Sequence, residues 1–251
     1  LGATRRALAL ALDFSRKRAA FGSRLVDLPL HAETLSELLV EFEGNFLLTF
    51  HLAELLGRDE LGLSSPEESA MLRMLTPIAK LYTGKACMAI TSEVVEVFGG
   101  TGYIEDSGLP TLLRNAQVFS IWEGTTNVLA LDVVRAIEKE GAFAPFMEGI
   151  MRRLAKVRGF DESVANVKAR CQELNELLSK AVQEGPEFTQ AAARQFAFAL
   201  ARTCAASLLL ERAALDQTPR SAEVARRWCR SNRNALLNPD AAHRGLTRLI
   251  L

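Results

Sequence analysis

Apolar residues recur every three or four positions along nearly the whole chain, and this spacing limits the fold more than any other feature. In residues 1–20 one such stripe consists of Ala3, Ala7, Leu8, Ala11, Leu12 and Phe14. Residues at this spacing lie on one face of an α-helix. No segment alternates apolar and polar residues convincingly with the period of two that a half-buried strand requires. The pattern predicts an all-α protein.

Capping residues and helix breakers predict where the helices begin and end. Ser65-Pro66-Glu67-Glu68 provides an N-cap serine, a proline in the first turn and a glutamate that can complete a capping box. We expect Gly57 to end the preceding helix, Pro77 to bend the next one, and Gly99 to end it. The predicted helices span residues 1–20, 31–56, 66–98, 112–116, 124–139, 146–158, 162–184, 187–215 and 220–236.

Composition excludes several classes of protein. The chain has 251 residues, of which 49% are hydrophobic, so it can bury a substantial core and is not disordered. Thirty Lys and Arg balance thirty Asp and Glu, so no net charge draws the whole molecule to nucleic acid or to a membrane. No apolar run reaches the roughly 18 residues of a membrane span. No basic-then-apolar leader follows Leu1, and we expect an intracellular protein.

The cysteines and histidines show no disulfide or metal pattern. The four cysteines are scattered and form no C-x-x-C pair, which favours unpaired thiols in an intracellular protein. The three histidines lack the spacing of metal ligands. We therefore expect no metal site.

A change in charge divides the chain near Gly141. Residues 1–141 hold thirteen Lys and Arg against nineteen Asp and Glu, a net charge of −6. Residues 142–251 hold seventeen against eleven, a net charge of +6. We predict a helical-bundle domain at residues 1–141 and an additional helical region at residues 142–251. Such asymmetry can mark a partner surface.

Two motifs carry the candidate chemistry, and each has a purely structural alternative. Gly99-Gly100-Thr101-Gly102 follows a predicted helix and not a strand, so it is not a dinucleotide-binding fingerprint. Its glycines can end a helix and let the backbone approach a ligand closely. Glu123 lies between Trp122 and Gly124 at the start of a predicted helix. It is either a solvent-exposed carboxylate that stabilises the helix dipole or a general base beside apolar residues.

Four segments share an order and spacing with one known family. They are Arg18-Ala19-Ala20-Phe21-Gly22, Phe98-Gly99-Gly100-Thr101-Gly102-Tyr103, Arg114-Asn115-Ala116 and Trp122-Glu123-Gly124-Thr125. Together they resemble the C-terminal helical domain of the acyl-CoA dehydrogenase family, over residues 1 to about 140. The AidB-like branch of that family is similar in further features, which are Glu96, Thr76-Pro77, Leu28-Pro29-Leu30, Trp122 and the appended helices. The resemblance implies a bundle of that C-terminal type with an appended helical region.

The resemblance also implies an oxidoreductase that uses FAD for the α,β-dehydrogenation of an acyl-CoA thioester. Glu123 matches the catalytic base, whose own backbone N–H binds the thioester oxygen. The implied substrate-binding residues are Trp122 and Gly124. The implied cofactor-binding residues are Arg18, Phe21, Glu96, Gly99, Gly100, Thr125 and Asn127.

Further implications concern assembly and location. Arg18, Phe21, Gly99 and Gly100 match positions that reach the FAD of a neighbouring subunit, so we expect a homo-oligomer, a dimer or tetramer, formed through the helical domain. The expected location is cytoplasmic if the source is bacterial and mitochondrial if it is eukaryotic. In the family, an amino-terminal helical domain and a middle β-domain precede the equivalent of Leu1. We therefore expect the chain alone to be inactive.

The sequence departs from the family pattern in three places and leaves another class of function open. Asn115 stands where the family has an aspartate. Glu96 stands where the family has a glutamine, and Leu28-Pro29 stands where His-Gln is common. The alternative is an AidB-like DNA-binding flavoprotein, or an assembly module with little dehydrogenase activity. Residues 220–248 carry seven arginines against two acids, which could contact phosphates. We favour a solvated helix face, with Arg226, Arg230 and Arg233 on one stripe.

Overall fold

The computed structural model describes residues 1–231 and 249–250, and most of these residues are helical. Within residues 1–231 the α-helices are α1 Gly2–Lys17, α2 Pro29–Glu60, α3 Pro66–Val97, α4 Gly100–Tyr103, α5 Leu109–Val118, α6 Thr126–Glu140, α7 Phe143–Leu154, α8 Asp161–Glu184, α9 Pro186–Asp216 and α10 Pro219–Arg230. Single 3₁₀ turns cover Leu25–Asp27 and Glu105–Ser107. Two antiparallel strands of two residues each, β1 Ala19–Ala20 and β2 Ser23–Arg24, follow α1. The predicted all-α class is confirmed.

The ends of α3 follow the local signals in its sequence. The Glu68 backbone N–H donates to Ser65 Oγ at 3.3 Å, and the Ser65 N–H donates to Glu68 Oε2 at 3.0 Å, which completes the predicted capping box. The helix continues through the buried Pro77. It stops before Gly99, whose φ of 57° suits glycine.

The prediction that Gly57 ends α2 is wrong, because the helix runs on to Glu60. A glycine weakens a helix interior by about 1 kcal/mol relative to alanine, but the next residue makes a contact that offsets this cost. Arg58 Nε and Nη2 donate to the two carboxylate oxygens of Glu68 on α3, both at 3.0 Å. The chain then turns at Gly62, with a φ of 68°. A contact between two helices overrides the local signal.

Other predicted boundaries differ from the structure by a few residues. The first helix ends at Lys17 and not at residue 20, because the following residues form the hairpin of β1 and β2. The short helix predicted at 112–116 begins earlier, at Leu109, after Gly108 with its φ of 71°. The helix predicted at 146–158 is α7. Residues 232–236 of the last predicted helix lie outside the described residues.

One hydrophobic core extends from α1 to α10, and α3 lies at its centre. This helix contacts α1, α2, α5, α6, α7 and α9. Buried side chains of both predicted domains belong to the same cluster, from Ala7 of α1 to Trp228 of α10. Gly141, at the predicted domain boundary, ends α6 in a left-handed conformation with a φ of 63°. The division into two domains remains a prediction.

A half-buried polar cluster around Arg202 joins α9 to three other helices. Arg202 Nη1 donates to Tyr82 Oη of α3 at 2.8 Å and to Glu41 Oε2 of α2 at 3.3 Å. The Tyr82 hydroxyl donates to Glu41 Oε1 at 2.6 Å. Burial, followed by the negative charge of Glu41, raises the pKa of Tyr82, so the hydroxyl keeps its proton as a donor.

The indole of Trp228 completes this cluster from α10. The Arg202 guanidinium lies 4.5 Å from the centre of the Trp228 ring, and Trp228 Nε1–H donates to the Arg202 carbonyl at 3.0 Å. On the other side, the ring packs against Gly44 of α2. A Cβ at Gly44 would lie 2.3 Å from Trp228 Cζ3. The absence of a side chain at this position therefore lets α10 dock on α2.

We predict opposite effects for two glycine-to-alanine substitutions in α2. Gly57→Ala should stabilise the chain by about 0.5–1 kcal/mol, because a Cβ there meets nothing within 4 Å and alanine favours the helix. Gly44→Ala should destabilise it by about 1–3 kcal/mol, because the Trp228 ring must move. Urea unfolding of both variants measures the difference. Equal effects in the two variants would contradict the packing of α10 on α2.

His51 links α2 to α7 and is held neutral by its surroundings. Arg153 Nη2 of α7 donates to His51 Nε2 at 3.2 Å, and His51 Nδ1 faces Glu54 Oε2 at 3.5 Å. A guanidinium can only donate, so Nε2 is the acceptor and the proton lies on Nδ1. Only 12% of the His51 side chain is exposed. Burial lowers the pKa of His51, and the charge of Arg153 lowers it further.

This environment predicts a loss of stability at mildly acidic pH. The pKa of His51 lies below its ordinary value of 6.5 in the folded chain, so below about that pH the unfolded chain binds a proton that the folded chain does not. The free energy of unfolding should then fall by up to about 1.4 kcal/mol per pH unit. His51→Gln should flatten this dependence in urea unfolding between about pH 5.5 and 8. An unchanged slope in the variant would contradict the assignment.

Candidate functional site

The loop between α5 and α6 holds the predicted base in an unusual backbone conformation. Glu123 has a φ of 57°, and Gly124 after it has a φ of 109°. For a residue with a side chain, the left-handed region costs about 1–2 kcal/mol. Glu123 is exposed, and its carboxylate makes no hydrogen bond or ion pair with any residue that the structure describes. Strain at such a position commonly marks a functional site.

Glu123 lies two residues before the N-cap of α6, where a solvent-exposed carboxylate can also act on the helix dipole. Thr125 is the N-cap residue of α6, and no side chain caps this end of the helix. The first backbone N–H groups of α6 are therefore without a partner inside the helix and face outward with the positive end of its dipole. Such an end suits an anionic group such as a phosphate.

An arginine of the appended helices reaches the start of α6. Arg194 Nη1 of α9 donates to Asn127 Oδ1 at 2.9 Å. Asn127 is one of the residues predicted to contact FAD. Its amide oxygen accepts this bond from Arg194, so the amide NH₂ group is the side that can contact a ligand. The sequence analysis missed Arg194 because it lies 67 residues further along the chain. Helical spacing contains no signal for such a contact.

The predicted cofactor residues near the end of α1 lie on the hairpin of β1 and β2. Phe21 and Gly22 form its two-residue turn, with φ values of 52° and 80°. Positive φ at both positions is typical of a type I′ turn, where asparagine or glycine is preferred to phenylalanine. The ring of Phe21 is 95% exposed. Arg18 is also exposed.

The glycines after α3 have separate reasons to be glycines. A Cβ at Gly102 would lie 2.1 Å from the Val95 carbonyl, so close packing within the chain requires a glycine there. Cβ atoms at Gly99 and Gly100 would meet nothing within 4 Å. At Gly100 the chain itself gives no reason for a glycine. An approaching ligand would explain it, so this surface fits the backbone contact to FAD that the sequence implies. Glu96 is exposed on the last turn of α3.

The structure divides the predicted site residues into two groups. The stacked rings of Phe14 and Phe98, with centres 4.2 Å apart, place the hairpin beside Gly99. The loop of Glu123 lies beside the middle of α3, since Lys80 Nζ donates to the Trp122 carbonyl at 2.9 Å. From Lys80 to the end of α3 is roughly 25 Å at the rise of an α-helix. One group therefore comprises Arg18, Phe21, Glu96, Gly99 and Gly100, and the other Trp122, Glu123, Gly124, Thr125 and Asn127.

The residues on both sides of the Glu123 loop and at the hairpin turn lie on open surface. Trp122 beside Glu123 is 71% exposed. Two clefts lie elsewhere. One of about 740 Å³ lies beside the turn from α9 to α10, and one of about 430 Å³ lies between α6, α8 and α9; no predicted site residue lines either of them.

Among the described residues, no group of three or more His, Cys, Asp or Glu could hold a metal ion. No described helix is long and apolar enough to cross a membrane.

The basic segment of residues 220–248 is described only in part, and its described arginines contact the same chain. Arg220 and Arg227 pair with Glu43 and Glu33 of α2 at 2.5 Å and 2.7 Å. Arg230 Nη2 lies 3.5 Å from Glu162 of α8, and the Arg226 guanidinium lies 5.2 Å from the centre of the Phe160 ring. The remaining arginines of the segment, Arg233, Arg244 and Arg248, lie outside the described residues. The described contacts dock α10 on the bundle.

Comparison with known proteins identifies the family. The family model described as acyl-CoA dehydrogenase, C-terminal domain matches residues 1–138, which is more than half of the chain. The chain belongs to the acyl-CoA dehydrogenase family. A second family model, acyl-CoA dehydrogenase 11 C-terminal domain-like, matches residues 141–241. Proteins of the acyl-CoA dehydrogenase family use FAD.

One relative matches nearly the whole of this chain, and another matches more than two thirds of it. Acyl-CoA dehydrogenase family member 11 of Caenorhabditis elegans is 42% identical over 239 residues, which are 91% of this chain and 39% of that protein. The putative acyl-CoA dehydrogenase AidB of Escherichia coli (strain K12) is 34% identical over 71% of this chain and 32% of its own length. The chain thus spans about two fifths or less of these relatives. The expected similarity to AidB is confirmed.

A solved structure shows the same fold. The crystal structure of Caenorhabditis elegans ACDH-11 in complex with C11-CoA superimposes with a TM-score of 0.88 at 41% sequence identity. The match covers 94% of this chain and 42% of that one. The appended helices therefore belong to the shared architecture.

Because the turn at Phe21 is strained, we predict that a substitution there can raise the stability of the chain and at the same time weaken FAD binding. Phe21→Asn should raise the thermal midpoint by about 2–4 °C, because asparagine tolerates the left-handed region and the gain is about 1 kcal/mol. The same change should weaken FAD binding by the full-length protein. Gln217→Asn is the matched control, since Gln217 also has a φ of 52° but ends α9, away from both groups. Thermal melts and FAD titrations of both variants test this. Unchanged FAD affinity in Phe21→Asn would contradict the role of the ring.

Proposed function

We propose that the full-length protein is an acyl-CoA dehydrogenase in which Glu123 is the catalytic base. The Glu123 carboxylate accepts the proton from the α-carbon of an acyl-CoA thioester. FAD, when bound, supplies the acceptor for the hydride that leaves the β-carbon. The products of this step are an α,β-unsaturated thioester and a protonated Glu123.

The observation that carries this proposal is the free carboxylate on a strained residue. Glu123 is held with a φ of 57°, has no partner among the described residues and does not cap α6. A carboxylate with a structural role would normally have a hydrogen bond or an ion pair, as Glu68 has at the start of α3. A role toward substrate accounts for the strain at Glu123.

In this proposal the surfaces that enclose Glu123 come from outside the described residues. Ile121 and Trp122 flank the loop and are themselves exposed. The bound thioester and the surfaces that cover Trp122 then remove water from around the carboxylate. The similar Caenorhabditis elegans ACDH-11 structure contains C11-CoA, which supports an acyl-CoA as the substrate class.

Two surfaces of this chain would hold FAD. The open N-terminus of α6 offers backbone N–H groups, the Thr125 hydroxyl and the remaining amide donors of Asn127 to the cofactor beside Glu123. The hairpin and Gly99-Gly100 offer the Arg18 guanidinium, the Phe21 ring and an open backbone to the cofactor of a neighbouring subunit. The side chain of Glu96 borders this second surface.

The proposal includes a homo-oligomer, because the second surface needs a neighbour. Phe21 is 95% exposed in the isolated chain, which leaves its apolar ring in water. Aromatic residues of this kind commonly act as anchors at interfaces. A dimer or tetramer formed through the helical domain would cover this ring.

An intracellular location, cytoplasmic in a bacterium or mitochondrial in a eukaryote, is supported by four cysteines that are all unpaired. Nucleic-acid binding is not part of the proposal, since the described arginines of α10 contact other residues of the chain.

The test is Glu123→Gln in the full-length, flavin-loaded protein. This change keeps the size of the side chain but removes the base, so we expect bound FAD to be retained and its reduction by acyl-CoA to slow by about 10²–10⁴-fold. Glu93→Gln is the control, an exposed glutamate of α3 outside both groups. Anaerobic stopped-flow absorbance of the flavin measures both. Reduction of Glu123→Gln at the parent rate would refute the assignment.

A further inference from the structure

Lys80 of α3 binds the backbone segment that leads from α5 to Glu123. Lys80 Nζ donates to the Phe119 carbonyl at 2.5 Å and to the Trp122 carbonyl at 2.9 Å. These carbonyls follow the last turn of α5, where helix geometry leaves C=O groups without a partner. A cation is also favoured at this negative end of the helix dipole. Lys80 therefore satisfies the end of α5 and holds the loop that follows.

A glycine one turn further along α3 lets the loop come this close. Gly84 is buried, and a Cβ there would lie 3.1 Å from the Phe119 carbonyl oxygen. Residues four apart share a face of a helix, so Lys80 and Gly84 together form the surface of α3 on which the turn at Phe119 packs. The hydroxyl of Ser120 in this turn is buried and has no hydrogen-bond partner among the described residues. Contacts to α3 therefore help to fix the turn.

The second carbonyl that Lys80 binds belongs to the same peptide group as the N–H of Glu123. A peptide group is planar, and in its trans form the C=O and N–H point in opposite directions. Because Lys80 draws the Trp122 carbonyl toward α3, the Glu123 N–H points away from α3 and toward the open surface. Only Glu123 and Gly124 then separate this anchored peptide from Thr125, whose carbonyl accepts the first helical bond of α6 from Leu129 at 2.9 Å.

We propose that Lys80 is a positioning residue for Glu123. By binding the Trp122 carbonyl, it sets the direction of the Glu123 N–H toward the thioester oxygen and keeps the left-handed turn from which the carboxylate projects. This inference rests on the proposed function of Glu123. Lys80 itself touches neither substrate nor cofactor in this arrangement. Its contribution is geometric, and an error of about 1 Å in the position of a reacting group can cost about 10²-fold in rate.

The first experiment measures the loop without any activity. The chain has two tryptophans, Trp122 on the loop with 71% exposure and Trp228 in the core with 3% exposure, so fast anisotropy decay of tryptophan fluorescence reports mainly on Trp122. Lys80→Met should increase the amplitude of this fast decay. Lys85→Met is the matched control, because Lys85 is on the same helix and has no hydrogen bond or ion pair with the described residues. Identical decays in parent, Lys80→Met and Lys85→Met would overturn the proposal.

The second experiment separates positioning from binding in the full-length, flavin-loaded protein. Lys80→Met should slow flavin reduction by acyl-CoA about 10–100-fold, with the acyl-CoA dissociation constant and the flavin content unchanged. Lys80→Arg, which keeps a cationic donor, should recover most of the rate. If Lys80→Met does not fold, Gly84→Ala displaces the same turn with the lysine intact and should show the same loss. Full-rate reduction in Lys80→Met, or in Gly84→Ala where that variant replaces it, would overturn the proposal.

The two proposals fail in different ways. If acyl-CoA does not reduce the flavin of the parent protein, the proposed function is wrong, whatever Lys80 does. If the parent is reduced, Glu123→Gln is slow and Lys80→Met reacts at the parent rate, Glu123 remains the base and the positioning role of Lys80 is wrong.

Discussion

The half-buried guanidinium of Arg202 is the contact on which the arrangement of the helices depends. It binds Tyr82 and Glu41 and lies over Trp228, so one side chain of α9 ties together α2, α3 and α10. Loss of either Arg202 or Glu41 would leave the other charge without its partner, in a place largely withdrawn from water. The loop of Glu123 packs on α3. By holding α3 in place, the appended helices therefore help to support the candidate site, which they also contact directly through Arg194.

Strained residues mark the two surfaces assigned to function. Among the described residues, three that are not glycine have positive φ angles, namely Phe21, Glu123 and Gln217. Gln217 ends a helix, where this conformation is common. Phe21 adopts it in the tight turn of the hairpin, where asparagine or glycine is preferred, and Glu123 adopts it just before α6. The fold holds each one between rigid segments, the short hairpin in one case and the ends of α5 and α6 in the other.

Local chemistry made much of the fold predictable, and contacts between distant residues explain what was missed. The capping box of α3 involves residues three positions apart, so the sequence contains it in full. Gly57 was misread because the contact of Arg58 with Glu68 comes from another helix. The family motif pointed to Glu123, but its left-handed conformation has no signature in helical spacing. Arg194 and Lys80 act on atoms 67 and 42 residues away, respectively, and no pattern in their neighbourhood reveals this.

The separation of the two groups along α3 has a thermodynamic consequence for the proposed assembly. Roughly 25 Å of rigid helix keeps the Glu123 loop apart from the hairpin. In the proposed assembly each subunit would contact one cofactor with one group and a neighbour's cofactor with the other, and every bound FAD would be shared between two chains. By mass action, a ligand that binds the assembled state more tightly than the separate chains stabilises that state. The dissociation constant of the oligomer and the concentration of free FAD therefore become linked quantities, and each subunit is held in the assembly partly by the cofactor of its neighbour.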